Sequence, residues 1–275
     1  MPTWEFPGSE PIDVFIDLAG GSVALTAVAT EVTTVSLTPS RFGRQADKLL
    51  SEVRVSFDSG RLEVAGPKRT GLWRGYPGFD LAVTLPQGSR CAVRTASADV
   101  TCTGELAELD AHTASGDVTA AAVSRNLQAA TASGDVRAEQ TGEIADVRTV
   151  SGDVRIARAG GDFHARTASG DVSIATAAGS ATVNTVSGDV RIGSMAHGRA
   201  DVNTASGDVI VGVARDVGVY LDLASLSGSV TSRLEDAEPS EDVTLEVRCR
   251  SLSGDIRITR ASSAGAGRRQ AEPAG

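Results

Sequence analysis

The chain has 275 residues, a formal net charge of −9, 41% hydrophobic but only 4% aromatic residues, and 30 glycines. An acidic surface repels a phosphate backbone, which excludes nucleic acid as the partner, and the scarcity of aromatics excludes a core built on Phe, Trp and Tyr. Length alone allows one large domain or two ordinary ones.

From the amino terminus, "MPTWEFPGSEPIDVFIDL" has no basic start and no apolar run leading to a cleavage site, so it does not read as a signal peptide. No apolar run reaches the roughly 18–20 residues that cross a bilayer, so membrane insertion is not expected. The three cysteines, Cys91, Cys102 and Cys249, lack zinc-type spacing and read as reduced, buried thiols. These features together point to the cytoplasm.

Residues 1–90 are strand-rich and carry faint copies of a phrase that becomes regular later in the chain. "GGSVAL" at Gly20–Leu25 resembles "SGSVTS" at Ser227–Ser232, and "SGRLEV" at Ser59–Val64 resembles "SGDVRI". Between them, Arg41 to Leu50 reads as a short polar helix. "PKRTGLWRGYPGF", Pro67 to Phe79, mixes Lys68, Arg69 and Arg74 with Trp73 and Tyr76, a combination favoured at protein interfaces. It is either a partner contact or a plug for an open end of the fold. Residues 1–90 therefore read as divergent N-terminal coils and a cap, continuous with the regular repeats that begin at residue 91.

From residue 91 to 260 the phrase Thr-x-Ser-Gly-Asp-Val recurs. Its serine falls at Ser97, Ser115, Ser133, Ser151, Ser169, Ser187, Ser206, Ser227 and Ser253; the first five steps are 18 residues each and the next are 19, 21 and 26. Val or Ile always stands three residues after the serine. Apolar residues dominate the columns five after it, four before it and six before it, with polar residues between. This alternation of period two marks a half-buried strand on each side of a Ser-Gly corner, and it excludes helix. Residues that repeat column by column favour parallel, in-register stacking over a string of hairpins. The expected fold is all-β, a parallel β-solenoid with coils of about 18 residues and two strands, nine coils making a rod about 40 Å long at ~4.8 Å each.

The corners themselves are Ser115-Gly116-Asp117, Ser133-Gly134-Asp135, Ser151-Gly152-Asp153, Ser169-Gly170-Asp171 and Ser187-Gly188-Asp189, with looser relatives in the outer coils. Glycine opens backbone angles closed to other residues, and Ser and Asp hydrogen-bond to nearby backbone, so these residues read as structural. A Thr or Ser column two residues before the anchor, from Thr95 to Ser251, is expected to bond along the stack. A cation could relieve repulsion in the stacked Asp column, but Arg137, Arg155, Arg191 and Arg257 offer compensation without metal, and one Asp per coil supplies few of the oxygens calcium needs. His112, His164 and His197 occupy different coils, so no catalytic residue, cofactor site or metal site is assigned. Acidic "EDAEPSED", Glu235 to Asp242, reads as a solvated loop, and residues 261–275 as a disordered tail.

The Thr-x-Ser-Gly-Asp-Val phrases, "PIDVFIDLAGGSVAL" at Pro11–Leu25 and "LPQGS" at Leu85–Ser89 together resemble the bacterial β-strand-repeat family of "putative adhesins", a domain of unknown function. The likeness spans about residues 10–260. It implies a β-solenoid and supplies no catalytic residues. The expected function is a non-enzymatic scaffold or protein-binding module. The alternatives are a surface adhesin or a carbohydrate-active β-helix enzyme, and the enzyme would need acids and bases gathered on a few neighbouring coils.

Overall fold

Strict alternation lets each strand bury one side, and identical columns let strands of successive coils pair without slipping. The computed structural model, which describes residues 2–40, 49–67, 78–234 and 243–261, is a parallel β-solenoid of this kind. The coils do not stack in sequence order at its two ends.

The N-terminal region contributes β1 (Thr3–Pro7), β2 (Asp13–Leu18), β3 (Gly21–Val28), β4 (Val32–Pro39), β5 (Arg54–Asp58), β6 (Arg61–Ala65), β7 (Phe79–Pro86) and β8 (Arg90–Thr95). The first coil, β2 and β3, is not the first rung. β2 lies between β6 and β8, and β3 lies between β7 and β9 (Asp99–His112), all parallel. The end beyond β6 and β7 is closed by antiparallel strands: β5 on β6, and β4 on β7 with β1 outside it. The rings of Phe6 and Phe57 stack with centroids 4.9 Å apart and join β1 to β5.

One expectation fails here. Ser59 and Gly60 are not a solenoid corner but the two-residue turn of the β5–β6 hairpin, with φ of 49° and 77°. Positive φ at both central residues is the geometry whose twist matches paired strands. Leu62 consequently aligns with Val14, in the column before the corner rather than after it. The helix expected over Arg41 to Leu50 lies, for residues 41–48, outside the described residues.

The regular region comprises β9, β10 (Val118–Ala130), β11 (Val136–Thr141), β12 (Ile144–Arg148), β13 (Val154–Ala159), β14 (Asp162–Arg166), β15 (Val172–Ala177), β16 (Ala181–Ser187) and β17 (Val190–Met195). Val100, Val118, Val136, Val154, Val172 and Val190 pair in one continuous register and are all buried. A further inward column stands beside them: Leu106, Val123, Thr141, Ala159, Ala177, Met195 and Val213. Two successive residues without inward side chains, such as Glu139 and Gln140, bend the coils from β10 to β17 just before this column. Volume is balanced between rungs. Phe163 is fully buried, and its own column neighbours above and below are Ala145 and Ala181, as a close-packed interior requires.

The last strands are β18 (Gly198–Ser206), β19 (Val209–Val213), β20 (Gly218–Ser227), β21 (Val230–Arg233), β22 (Val243–Ser253) and β23 (Ile256–Arg260). β22 pairs with β18 on one side and β20 on the other, and β23 lies likewise between β19 and β21. The final coil of the chain is thus inserted beneath the preceding one. Residues 218–233 form the terminal rung. Val247 and Cys249 are fully buried, whereas Leu221 and Leu223, in the same columns one rung further out, are only partly covered.

Candidate interaction surface

The Ser-Gly-Asp corners form one continuous edge along the rod. In each corner the Asp carboxylate accepts the backbone N–H of the equivalent residue on the next rung. The bonds run Asp99 to Asp117, Asp135, Asp153, Asp171, Asp189, Asp208, Asp255 and finally Ser229, all at 2.8–3.0 Å. Oδ1 of each aspartate is therefore a ladder acceptor. The second oxygen meets arginines two residues on: Arg137 with Asp135, Arg155 with Asp153 at 2.8 Å and Arg257 with Asp255 at 3.0 Å. Arg137 and Arg155 also approach the previous rung's Asp117 and Asp135 at 3.5 and 3.8 Å. Arg191 makes no ion pair among the described residues. Accepting the Ser229 N–H, reinforced by the Ser229 side chain and Arg257, holds the Asp255 carboxyl below the usual carboxylate range.

The hydroxyl column does not chiefly bond along the stack. Thr113, Thr131, Thr149 and Thr167 turn inward, and each Oγ1 accepts the N–H of the glycine three residues on, at 2.9–3.0 Å. From Ser187 onward the corner changes. The N–H groups of Gly188, Gly207 and Gly254 donate instead to the carbonyls of Ser206, Ser253 and Ser227 on the next rung. Thr185, Thr204 and Ser251 are left with buried, unpartnered hydroxyls. Glycine is needed in both forms because rungs approach closely: a Cβ on Gly134 would lie 1.9 Å from the carbonyl oxygen of Gly116.

What this edge offers to solvent is the anchor serine and the residue just before it. That preceding column is apolar throughout. In spatial order it reads Ala96, Ala114, Ala132, Val150, Ala168, Val186, Ala205, Leu252 and Leu226. Exposure reaches 59% at Val186 and 83% at Leu226. No sequence expectation singled this column out, although it is the variable position of the repeated phrase. Apolar side chains lined up in solvent beside serines and alternating Asp and Arg are the composition of an interaction surface.

A second feature is a shallow groove on the outer side of the strands before the corner, lined by Asp13, Arg90, Glu108, Asn126, Gln128 and Asp146. Arg90 holds Asp13 at 2.7 Å within it. Lys68, Arg69, Trp73, Arg74 and Tyr76, expected as partner contacts, lie outside the described residues. Cys91, Cys102 and Cys249 are free and buried; burial pushes Cys102 and Cys249 up to about 12, and Cys91 well above the ordinary thiol value. Protonated, enclosed thiols are inert. No group of three or more His, Cys, Asp or Glu poised for a metal occurs among the described residues.

Residues 13–259 match the family described as Toastrack DUF4097. Among solved structures, a "putative adhesin" of Bacteroides fragilis NCTC 9343 is similar at 13% identity and a TM-score of 0.51, covering 94% of this chain and 96% of that one. A "putative lipid binding protein" of Parabacteroides distasonis ATCC 8503 shares 12% identity at a TM-score of 0.49, with 94% and 96% covered. None of the curated proteins matches the sequence. At 13% identity the likeness to the Bacteroides fragilis structure shows a shared fold alone.

Proposed function

The chain belongs to the Toastrack DUF4097 family, and from that premise we propose that it is a non-enzymatic scaffold that binds another protein along its Ser-Gly-Asp edge. The exposed apolar column from Ala96 to Leu226 carries this reading. It runs unbroken over nine rungs, and Val150, Val186, Leu252 and Leu226 within it each leave more than half of their surface in solvent.

The residue types that could do chemistry support the same conclusion by what they are already doing. Aspartates of the edge hold backbone N–H groups, inner threonines hold glycine N–H groups, and the thiols are sealed in the core. A rigid column of evenly spaced contacts suits recognition of an extended partner, where rigidity lowers the ordering cost of binding.

A pull-down with the full chain tests this, comparing it with the double variant Val186→Asp, Leu252→Asp. The expected result is one or more proteins retained by the original and lost by the variant, with unchanged circular dichroism. Incubation with a polysaccharide panel supplies the opposing outcome: glycosidic cleavage by the purified protein would overturn the scaffold.

A further inference from the structure

The two ends of the solenoid are finished differently. At the N-terminal end the edge strands are β1 and β5, antiparallel, five residues each, and tied by the Phe6–Phe57 stack. At the C-terminal end β20 and β21 pair inward only, with β22 and β23, and their outer edges have no strand partner among the described residues. β20 is ten residues long, with no Lys, no Pro and a single charge, Asp222. Soluble proteins normally blunt such an edge with a short strand, a lysine or a proline, or else cover it.

The terminal rung is also uncovered from the side of the core. Val219, Leu221 and Leu223 are only partly buried, and Val230 is 45% exposed, although every interior residue of its column is sealed. From this we infer that the C-terminal rung is completed by the same rung of a second copy, giving a two-fold, head-to-head dimer.

The rung is self-complementary about its own corner. Inward residues stand at 219, 221, 223 and 225 before the corner and at 228, 230, 232 and 234 after it, an arrangement symmetric about the Leu226–Ser227 peptide. A two-fold axis through that corner lays β20 of one copy antiparallel on β21 of the other. Leu223 then faces Val230 and Val219 faces Leu234, apolar on apolar, with Leu221 over the small Ser232 between them. On the outer side Tyr220, 57% exposed, faces Arg233, an aromatic ring against a guanidinium. Asp222 faces Thr231, so neither the acid nor the base of the rung meets its own kind. The N-terminal end has no such symmetry, and a two-fold contact closes at two copies instead of growing into a fibre.

Sedimentation equilibrium on the full chain tests the dimer. The expected mass is twice 28.1 kDa. Val230→Lys should return the mass to a monomer's with its circular dichroism unchanged, while Thr119→Lys on the lateral face should leave the dimer intact. Tyr220→Cys with Arg233→Cys should give a covalent dimer on oxidation, since antiparallel neighbours lie about 4.5–5.5 Å apart at Cα; this arm stands even if the lysine variant fails to fold. A monomer at all concentrations, as when residues 235–242 or another molecule occupy the rung, overturns the inference. So does a dimer indifferent to Val230→Lys, or one that the cysteine pair cannot lock.

Discussion

The backbone N–H of Asp255 donates to Oδ1 of Asp208 at 2.9 Å although 47 residues separate them. Asp255 in turn accepts the N–H of Ser229, which precedes it in sequence. The last coil is therefore clamped between two earlier ones by the same bond that joins the rungs from Asp99 to Asp208. The first coil is held likewise, with β2 and β3 each paired on both edges. Fraying at the C-terminal end of the described chain is opposed because its last coil, β22 and β23, is an interior rung.

The ladder predicts that acceptor geometry matters more than charge. Asp153→Ala leaves the Asp171 N–H without its partner and should destabilise by about 1–2 kcal/mol, the cost of an unmade hydrogen bond to a charged acceptor at a partly exposed site. Asp153→Asn keeps an acceptor oxygen, loses only the Arg155 ion pair at the surface, and should cost less than about 1 kcal/mol. Urea unfolding of the two variants checks the order.

The two corner forms give opposite expectations for one substitution. Thr149→Val removes the acceptor of the Gly152 N–H and should destabilise by about 1–2 kcal/mol. Thr185→Val removes a buried hydroxyl that has no partner and should be neutral or stabilising. Thermal midpoints that fall equally in both would contradict the change of corner at Ser187.

Gly134→Ala sets a Cβ 1.9 Å from the Gly116 carbonyl oxygen, backbone that cannot yield without moving a rung. A loss above about 3 kcal/mol is expected, in the range reserved for severe strain. Gly60→Ala meets nothing within 4 Å and suffers only its positive φ of 77°, so about 1 kcal/mol is expected there. Denaturation midpoints of the pair distinguish close approach from backbone preference.

Asp255 titrates low because it accepts the Ser229 backbone N–H, then the Ser229 side chain, with Arg257 adding to both. A carboxyl depressed in the folded state contributes stability above its unfolded value, near 3.8, and loses it as pH falls through the lower folded value. Carboxyl NMR should place the Asp255 midpoint below 3.8, and Ser229→Ala should move it upward. A midpoint at or above 3.8 in the unaltered protein would contradict the ladder at its last rung.

Period, strand pairs and inward valines were legible because the repeat holds at 18 residues from Ser97 to Ser187 and its columns there are chemically similar. That same uniformity concealed the order of the rungs, since a coil with identical columns can pair with any other. One substitution did carry the signal. Ser229 replaces the ladder aspartate in the coil that no further described rung of the same chain follows, where a carboxylate would find no ladder N–H of its own chain to accept. Ser232 replaces the usual apolar residue in the same coil, the last described rung of that column within the chain. The inward column from Leu106 to Val213 escaped notice because paired outward residues such as Glu139 and Gln140 break the alternation just before it. Ser59-Gly60 misled because hairpin turns and solenoid corners both select small, flexible residues.

The inserted final coil is tested most directly by disulfide trapping. Ile210 stands beside Arg257 in the register of β19 and β23, while Thr231 lies one rung further out. Rungs about 4.8 Å apart allow a disulfide between adjacent strands and forbid one across two. Ile210→Cys with Arg257→Cys should crosslink within the monomer under mild oxidation, and Ile210→Cys with Thr231→Cys should not. Crosslinking of the second pair and not the first would mean that the coils stack in simple chain order, contrary to the structure.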